Sequence, residues 1–170
     1  MRRRLLLTGP ALVGVVLLAS CSSGSPSGSA KNSSTTASKS TPAVANATDL
    51  SVEPLPAAGT PPPPTSLVTK DLVVGTGKTA SLTDTVLVQY VGANYATGKV
   101  FDSSWQYHQP VSFPLSGVVP GFAKGIVGMK VGGRREIVIP SALGYGKAGR
   151  PPSITPNENL VFVVDLKAIQ

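Results

Sequence analysis

Few side chains in this 170-residue sequence could serve as nucleophile, metal ligand or general base, and they are scattered. Cys21 is the only cysteine and His108 the only histidine, so no Cys/His set has zinc spacing and no disulfide can close within the chain. His108 stands near Asp102, Ser103 and Ser104, but FDSSWQYHQP contains no nucleophile elbow, and a solvated loop histidine is the better reading. Gly75-Thr76-Gly77-Lys78-Thr79-Ala80 after Leu72-Val73-Val74 satisfies G-x-G-x-x-A on paper. A dinucleotide fingerprint has to open a helix, whereas Ser81 to Val91 runs on into a strand, and a phosphate loop needs glycine where Leu72 stands. A glycine turn between strands fits both facts. What survives is an aromatic and apolar set with one carboxylate: Tyr90, Phe101, Asp102, Phe122, Tyr145, Ile154 and Phe162. Taken singly, each also reads as packing: Tyr90 and Phe162 as strand core, Phe122 as helix core, Asp102 as a turn residue, Tyr145 as a loop plug.

The elements that must position this set begin near Leu67. LVTKDLVV (67–74) and TVLVQYVG (85–92) read as strands, and Lys99-Val100-Phe101, Val111-Ser112-Phe113, Arg135 to Ile139 and Leu160 to Leu166 add four more. One segment, Pro120 to Met129, reads as a helix: proline suits the first helical position, and Phe122, Ile126 and Met129 recur at helical spacing. A single short helix over an antiparallel sheet predicts an α+β domain of about 105 residues. All nine aromatic residues fall after Gln89, so the core is built late in the chain. The net charge of +7 includes Arg2, Arg3 and Arg4; without residues 1–20, twelve Lys/Arg face eight Asp/Glu, too diffuse a surplus to indicate nucleic acid.

The beginning of the chain is different material. Arg2-Arg3-Arg4, an apolar run interrupted by Gly9-Pro10, and small residues form signal-peptide architecture, and the run is too short for a comfortable bilayer span. Leu18-Ala19-Ser20-Cys21 resembles the lipobox of bacterial lipoproteins, in which the cysteine becomes the lipid-modified first residue; the other reading is a secretory signal with an incidental cysteine. Ser22 to Thr65, rich in Ser, Thr, Pro, Ala and Gly, has too little apolar surface to offset chain entropy and is expected to be a disordered tether. The predicted organisation is a leader over 1–20, a lipid-anchored linker over 21–65 and a folded domain over 66–170.

Within that domain, VQYVG (88–92), GKVFDSS (98–104), VVPGFAKG (118–125), GMKVGGRR (128–135), Gly144-Tyr145-Gly146 and LVFVVDL (160–166) occur in order. Together they closely resemble the FKBP-type peptidyl-prolyl cis-trans isomerases over roughly Leu67 to Gln170. The resemblance implies a curved antiparallel sheet wrapped around one short helix, with an apolar pocket between them. It places Tyr90, Phe101 and Phe162 in the pocket walls, Phe122 at the floor, Val118 and Val119 beside it, and Asp102 at the edge. Tyr145 and Ile154 would come from the loop 141–159. The Val119 main-chain N–H is where the family holds a substrate carbonyl. Phe122 stands where tryptophan is frequent, Val111 where an aromatic is common, Arg150 where a loop histidine can sit, and Ser153 where an aliphatic can pack.

The expected function is rotation of Xaa-Pro bonds in exported polypeptides, with no cofactor, by a lipid-anchored monomer on the outer side of the cell membrane. FK506-like or rapamycin-like macrolides are possible inhibitors, and no nucleic-acid partner is expected. The competing reading is a holdase that grips proline segments without turnover. A solute-binding lipoprotein is disfavoured, since the domain is too small for two lobes.

Overall fold

β-Branched residues crowd the segments that become strands, where their stiff side chains pack well on a pleated surface. The computed structural model describes residues 41–170; the leader expected over 1–20, Cys21 and the tether's first part, 22–40, lie outside the described residues. The elements run β1 (Val44–Ala45), β2 (Leu55–Pro56), β3 (Val68–Val73), β4 (Thr85–Asn94), β5 (Val100–Ser103), β6 (Val111–Pro114), α1 (Pro120–Ile126), β7 (Arg134–Ile139) and β8 (Leu160–Ile169). Short 3-10 turns lie at Ser104–Tyr107, Leu115–Gly117 and Ser141–Leu143. The main sheet is antiparallel in the order β3-β7-β8-β4-β5, and β6 pairs the first residues of β4 while β5 pairs its later ones. Among the described residues no helix is long and apolar enough to cross a membrane.

Alternation along the strands sends two different sets of residues to the two faces. Val86, Val88 and Tyr90 of β4, Ile137 and Ile139 of β7, and Leu160, Phe162, Val164 and Leu166 of β8 join Phe122, Ala123 and Ile126 of α1 in the main core. The helix carries Gly121 and Gly125 one turn apart, and a Cβ on either would run into Ile139 or Ile137 of β7, so the missing side chains set how closely helix and sheet approach. Pro120 opens the helix as its position predicts, but the helix ends at Ile126, three residues before Met129, where Val127 is extended and Gly128 takes φ +83°. Met129 is buried all the same.

The opposite face holds Ala93, Tyr95, Val138 and Val161 together with Arg134, Glu136 and Asp165, all buried. Here the structure departs from the expected tether over 21–65, because residues 41–65 pack on this face. β1 pairs β2, and Pro42, Pro54 and Pro56 are buried. The loop between the two strands turns three main-chain carbonyls, of Asn46, Asp49 and Val52, onto the Arg134 guanidinium at 2.5, 2.9 and 3.1 Å. Arg134 also donates to both carboxylate oxygens of Asp165. Five charge-assisted hydrogen bonds satisfy an arginine with no exposed surface, which is the condition for burying a charge. Further along, the Gly59 N–H donates to the Tyr95 carbonyl at 2.7 Å and the Tyr95 hydroxyl to the Thr60 carbonyl at 3.1 Å. Composition misled because proline, counted as a disordering residue, has no donor to lose on burial and supplies apolar surface at low entropic cost.

Glu136 is the exception on this face. It is fully buried, and neither carboxylate oxygen has a hydrogen-bond partner among the described residues. Burial pushes its carboxyl up to about 7, with the charge of Lys70, its cross-strand neighbour, pulling the other way.

Candidate functional site

On the helix-facing side the sheet and α1 do not close completely, and they leave a cavity of about 310 Å³. Tyr90 from the middle of β4 and Phe162 from β8 reach it by strand alternation, and Phe122 reaches it from the first turn of α1. Val118 and Val119 line it from the segment that caps the helix, and Tyr145 from the loop after β7. Phe101 and Asp102 are consecutive yet both line the cavity. The register of β4 with β5 shifts between Gly92, opposite Asp102, and Ala93, opposite Val100, so Phe101 is left unopposed and the bulge turns neighbouring side chains the same way.

The rings form a continuous wall. Phe122 meets Phe162 at 5.1 Å between centroids and 70°, Phe101 meets Phe162 at 5.7 Å and 83°, and Tyr90 meets Phe122 at 6.3 Å and 77°, the edge-to-face geometry that aromatic quadrupoles favour. Gly92 makes this possible: a Cβ there would come within 2.7 Å of the Phe162 ring and 2.8 Å of the Phe101 ring. The Tyr90 hydroxyl donates to Asp102 Oδ2 at 2.8 Å. Burial first, then this hydrogen bond and the carboxylate's charge, hold the Tyr90 phenol well above its ordinary range, so it remains a proton donor.

The structure thus brings together every residue expected in the pocket except one. Ile154 is 2% exposed and packs in the core; it borders a second cavity of about 400 Å³ beside the first, with Tyr107, Pro151, Pro152 and Ser153. The bend that pairs Arg150 with Ile154 turns the isoleucine inward and leaves Arg150, exposed, on the rim shared by both cavities. Phe113 and Gly117 also line the first cavity. Phe113 stacks edge-on against Tyr90 at 5.7 Å and against Phe122 at 6.0 Å, so an aromatic arrives two residues after Val111, which packs against the core. The period-two spacing of Val111 and Phe113 was the signal for it. His108 ends the turn Ser104–Tyr107 in a left-handed conformation and is exposed. Among the described residues no group of three or more His, Cys, Asp or Glu could hold a metal ion.

A single-helix α+β domain with an antiparallel sheet is the architecture that solved structures share with this chain. The profile of the FKBP-type peptidyl-prolyl cis-trans isomerases matches residues 76–167, more than half of the sequence. The chain belongs to that family, and it is an enzyme of the peptidyl-prolyl cis-trans isomerase class. It is 46% identical over 110 residues to an "FK506-binding protein" of Streptomyces anulatus, covering 63% of this chain and 89% of that protein. It is 45% identical over 105 residues to a "Probable FK506-binding protein" of Corynebacterium glutamicum, covering 62% and 88%. Among solved structures, FkpA from Escherichia coli is similar at 43% identity and a TM-score of 0.58, over 62% of this chain and 49% of that one. AtFKBP13 is similar at 32% identity and a TM-score of 0.58, over 63% and 95%.

Proposed function

We propose that this chain accelerates rotation about Xaa-Pro bonds of polypeptides folding outside the cytoplasmic membrane, held there by a lipid on Cys21, and that the catalytic site is the aromatic cavity. The enclosure of that cavity by Tyr90, Phe101, Phe113, Phe122 and Phe162 carries the reading. At about 310 Å³ it matches a proline ring with its flanking amide and lies at the small end of ligand sites. The prolyl amide is planar because of a charge-separated resonance form that water stabilises. Stripping that water away raises the planar ground state relative to the twisted state, in which the resonance is lost. The barrier of a planar peptide bond is about 18–20 kcal/mol. A millionfold acceleration needs about 8 kcal/mol, more than one hydrogen bond supplies, so the enclosing walls provide most of it. The Val119 N–H and the Tyr145 hydroxyl hold the substrate's carbonyls while the bond turns, and Asp102 fixes the Tyr90 ring through its hydroxyl. The lining includes no Ser, Thr, Cys, His or Lys, which accords with rotation and no covalent step.

The purified full-length chain tests this on a short Xaa-Pro peptide. Turnover is expected, inhibited by FK506, with kcat/KM falling at least tenfold in Phe162→Leu and Asp102→Ala while the fold persists. A peptide rate equal to the uncatalysed one defeats the enzyme reading and leaves the holdase. The membrane address rests on the sequence alone: Cys21→Ser is expected to release the protein from the membrane fraction or leave its precursor unprocessed, and normal fractionation of that variant removes the lipid anchor.

A further inference from the structure

The covered face and the cavity meet at one corner. β5 is the last strand on its side of the sheet, joined to β4 by few rungs and interrupted by the bulge at Phe101. A short, bulged edge strand is held weakly by its own ladder. It nevertheless carries two cavity walls, Phe101 and Asp102, and runs directly into the turn Ser104–Tyr107. The next residue, Ser103, points the other way, is 1% exposed, and donates its hydroxyl to Glu53 Oε1 of the 41–65 segment at 2.6 Å. The Ser103 hydroxyl oxygen also accepts from the Trp105 main-chain N–H at 3.2 Å and so caps the turn. Glu53 is itself fixed, since its carbonyl accepts from the Asn46 side chain at 3.0 Å, and the neighbouring Asn46 and Val52 carbonyls are clamped by Arg134.

We propose that Glu53 is a positioning residue for the isomerase site, acting through Ser103 to hold the β5 corner, and with it Phe101 and Asp102, at the spacing the cavity requires. The proposal rests on the cavity being the isomerase site. Glu53 lies outside the residues 76–167 that match the family, so its contribution belongs to this chain's own N-terminal segment. A hydroxyl shared between a carboxylate and a main-chain N–H has a defined direction, and its donor role toward Glu53 leaves a lone pair free for the cap. Without Glu53 the hydroxyl can turn to its own backbone, and the edge strand loses its tie to the clamped segment.

The test uses the full-length chain carrying Glu53→Ala, Glu53→Gln, Ser103→Ala or both alanines, assayed well below their melting temperatures. Trp105 is the only tryptophan in the chain, so its emission reports on this corner whether or not peptide turnover is measured. Glu53→Ala is expected to lower kcat/KM about fivefold and shift Trp105 emission, while Glu53→Gln, which keeps an acceptor for Ser103, recovers most of both. The double variant should lose no more than the worse single, because both remove one link. Ser51→Ala, in the exposed part of the segment, should leave activity unchanged. Unaltered Trp105 emission in Glu53→Ala, unaltered kcat/KM in that variant beside an active wild type, or losses that add in the double variant each overturn the proposal. A wild-type chain without turnover instead defeats the isomerase reading, and the emission arm still decides whether Glu53 holds the corner.

Discussion

The two faces of the main sheet are built from alternate residues of the same strands and solve opposite problems. The helix-facing side is almost wholly apolar and remains partly open, with rings lining a space that a ligand can enter. The other side buries an arginine, an aspartate and a glutamate, and closes over them with residues 41–65. An apolar wall tolerates an empty space beside it because it has no hydrogen bonds to satisfy. A buried charge tolerates none, so the side with Arg134 needs a cover that delivers carbonyls at fixed positions. The face with the cavity is therefore the one with the simpler chemistry, and the binding of the chain's own residues 41–65 takes up the polar specificity.

The largest way to break this contrast is Arg134→Ala. It takes both guanidinium hydrogen bonds from Asp165, leaving only Lys167 at 3.7 Å among the described residues, strands three carbonyls, and should cost about 3–5 kcal/mol in denaturant unfolding, as breaking a buried pair generally does. A loss below about 1 kcal/mol would show the segment to be an ornament.

Glu136 tests the same face through pH. Its folded-state carboxyl is raised from 4.5 to about 7, so the folded chain binds the proton more tightly than the unfolded one. The stability this contributes is complete below about pH 4.5 and is lost as pH rises toward 7, at up to about 1.4 kcal/mol per unit. In Glu136→Gln that slope should disappear, with Lys70 left as a surface cation and Tyr95 freed of the charge that helps raise its phenol. Equal slopes in both proteins across that window would place the titrating group elsewhere.

The smallest effect on stability, and the most selective one, is expected from Gly92→Ala. The new methyl must push the Phe101 and Phe162 rings apart, an overpacking cost of about 1–3 kcal/mol. Peptide turnover should fall at least tenfold while the Arg134 clamp stays closed, and retention of wild-type kcat/KM would mean that ring spacing is not what the cavity needs.

Most of the cavity face could be read from residue types. Period-two runs of valine and isoleucine gave the strands, proline and helical spacing marked α1, and ordered motifs brought Tyr90, Phe101, Asp102, Phe122 and Phe162 to one place. Ile154 went astray because a loop bend, not a periodicity, decides where its side chain points. Arg150 on the rim follows from the same bend. The covered face was illegible for a deeper reason. Its cover works through main-chain carbonyls, which every residue has, so nothing in Asn46, Asp49 or Val52 announces an acceptor. Its apolar contacts come from prolines in a stretch whose composition points to disorder, and the partner of those carbonyls is more than eighty residues away.

That separation also bears on the order of assembly. Asn46 leaves the ribosome 88 residues before Arg134, and Asp165 follows Arg134 by a further 31. The guanidinium that receives residues 41–65 is aligned by Asp165 of β8, the final strand, so the clamp can close only once β7 and β8 have paired. Closing so long a loop early would cost entropy with no contact to offset it. Docking of residues 41–65 is therefore expected to follow completion of the sheet, and a segment that still exchanges its amides freely while β7 and β8 are protected in a refolding experiment would mark that order.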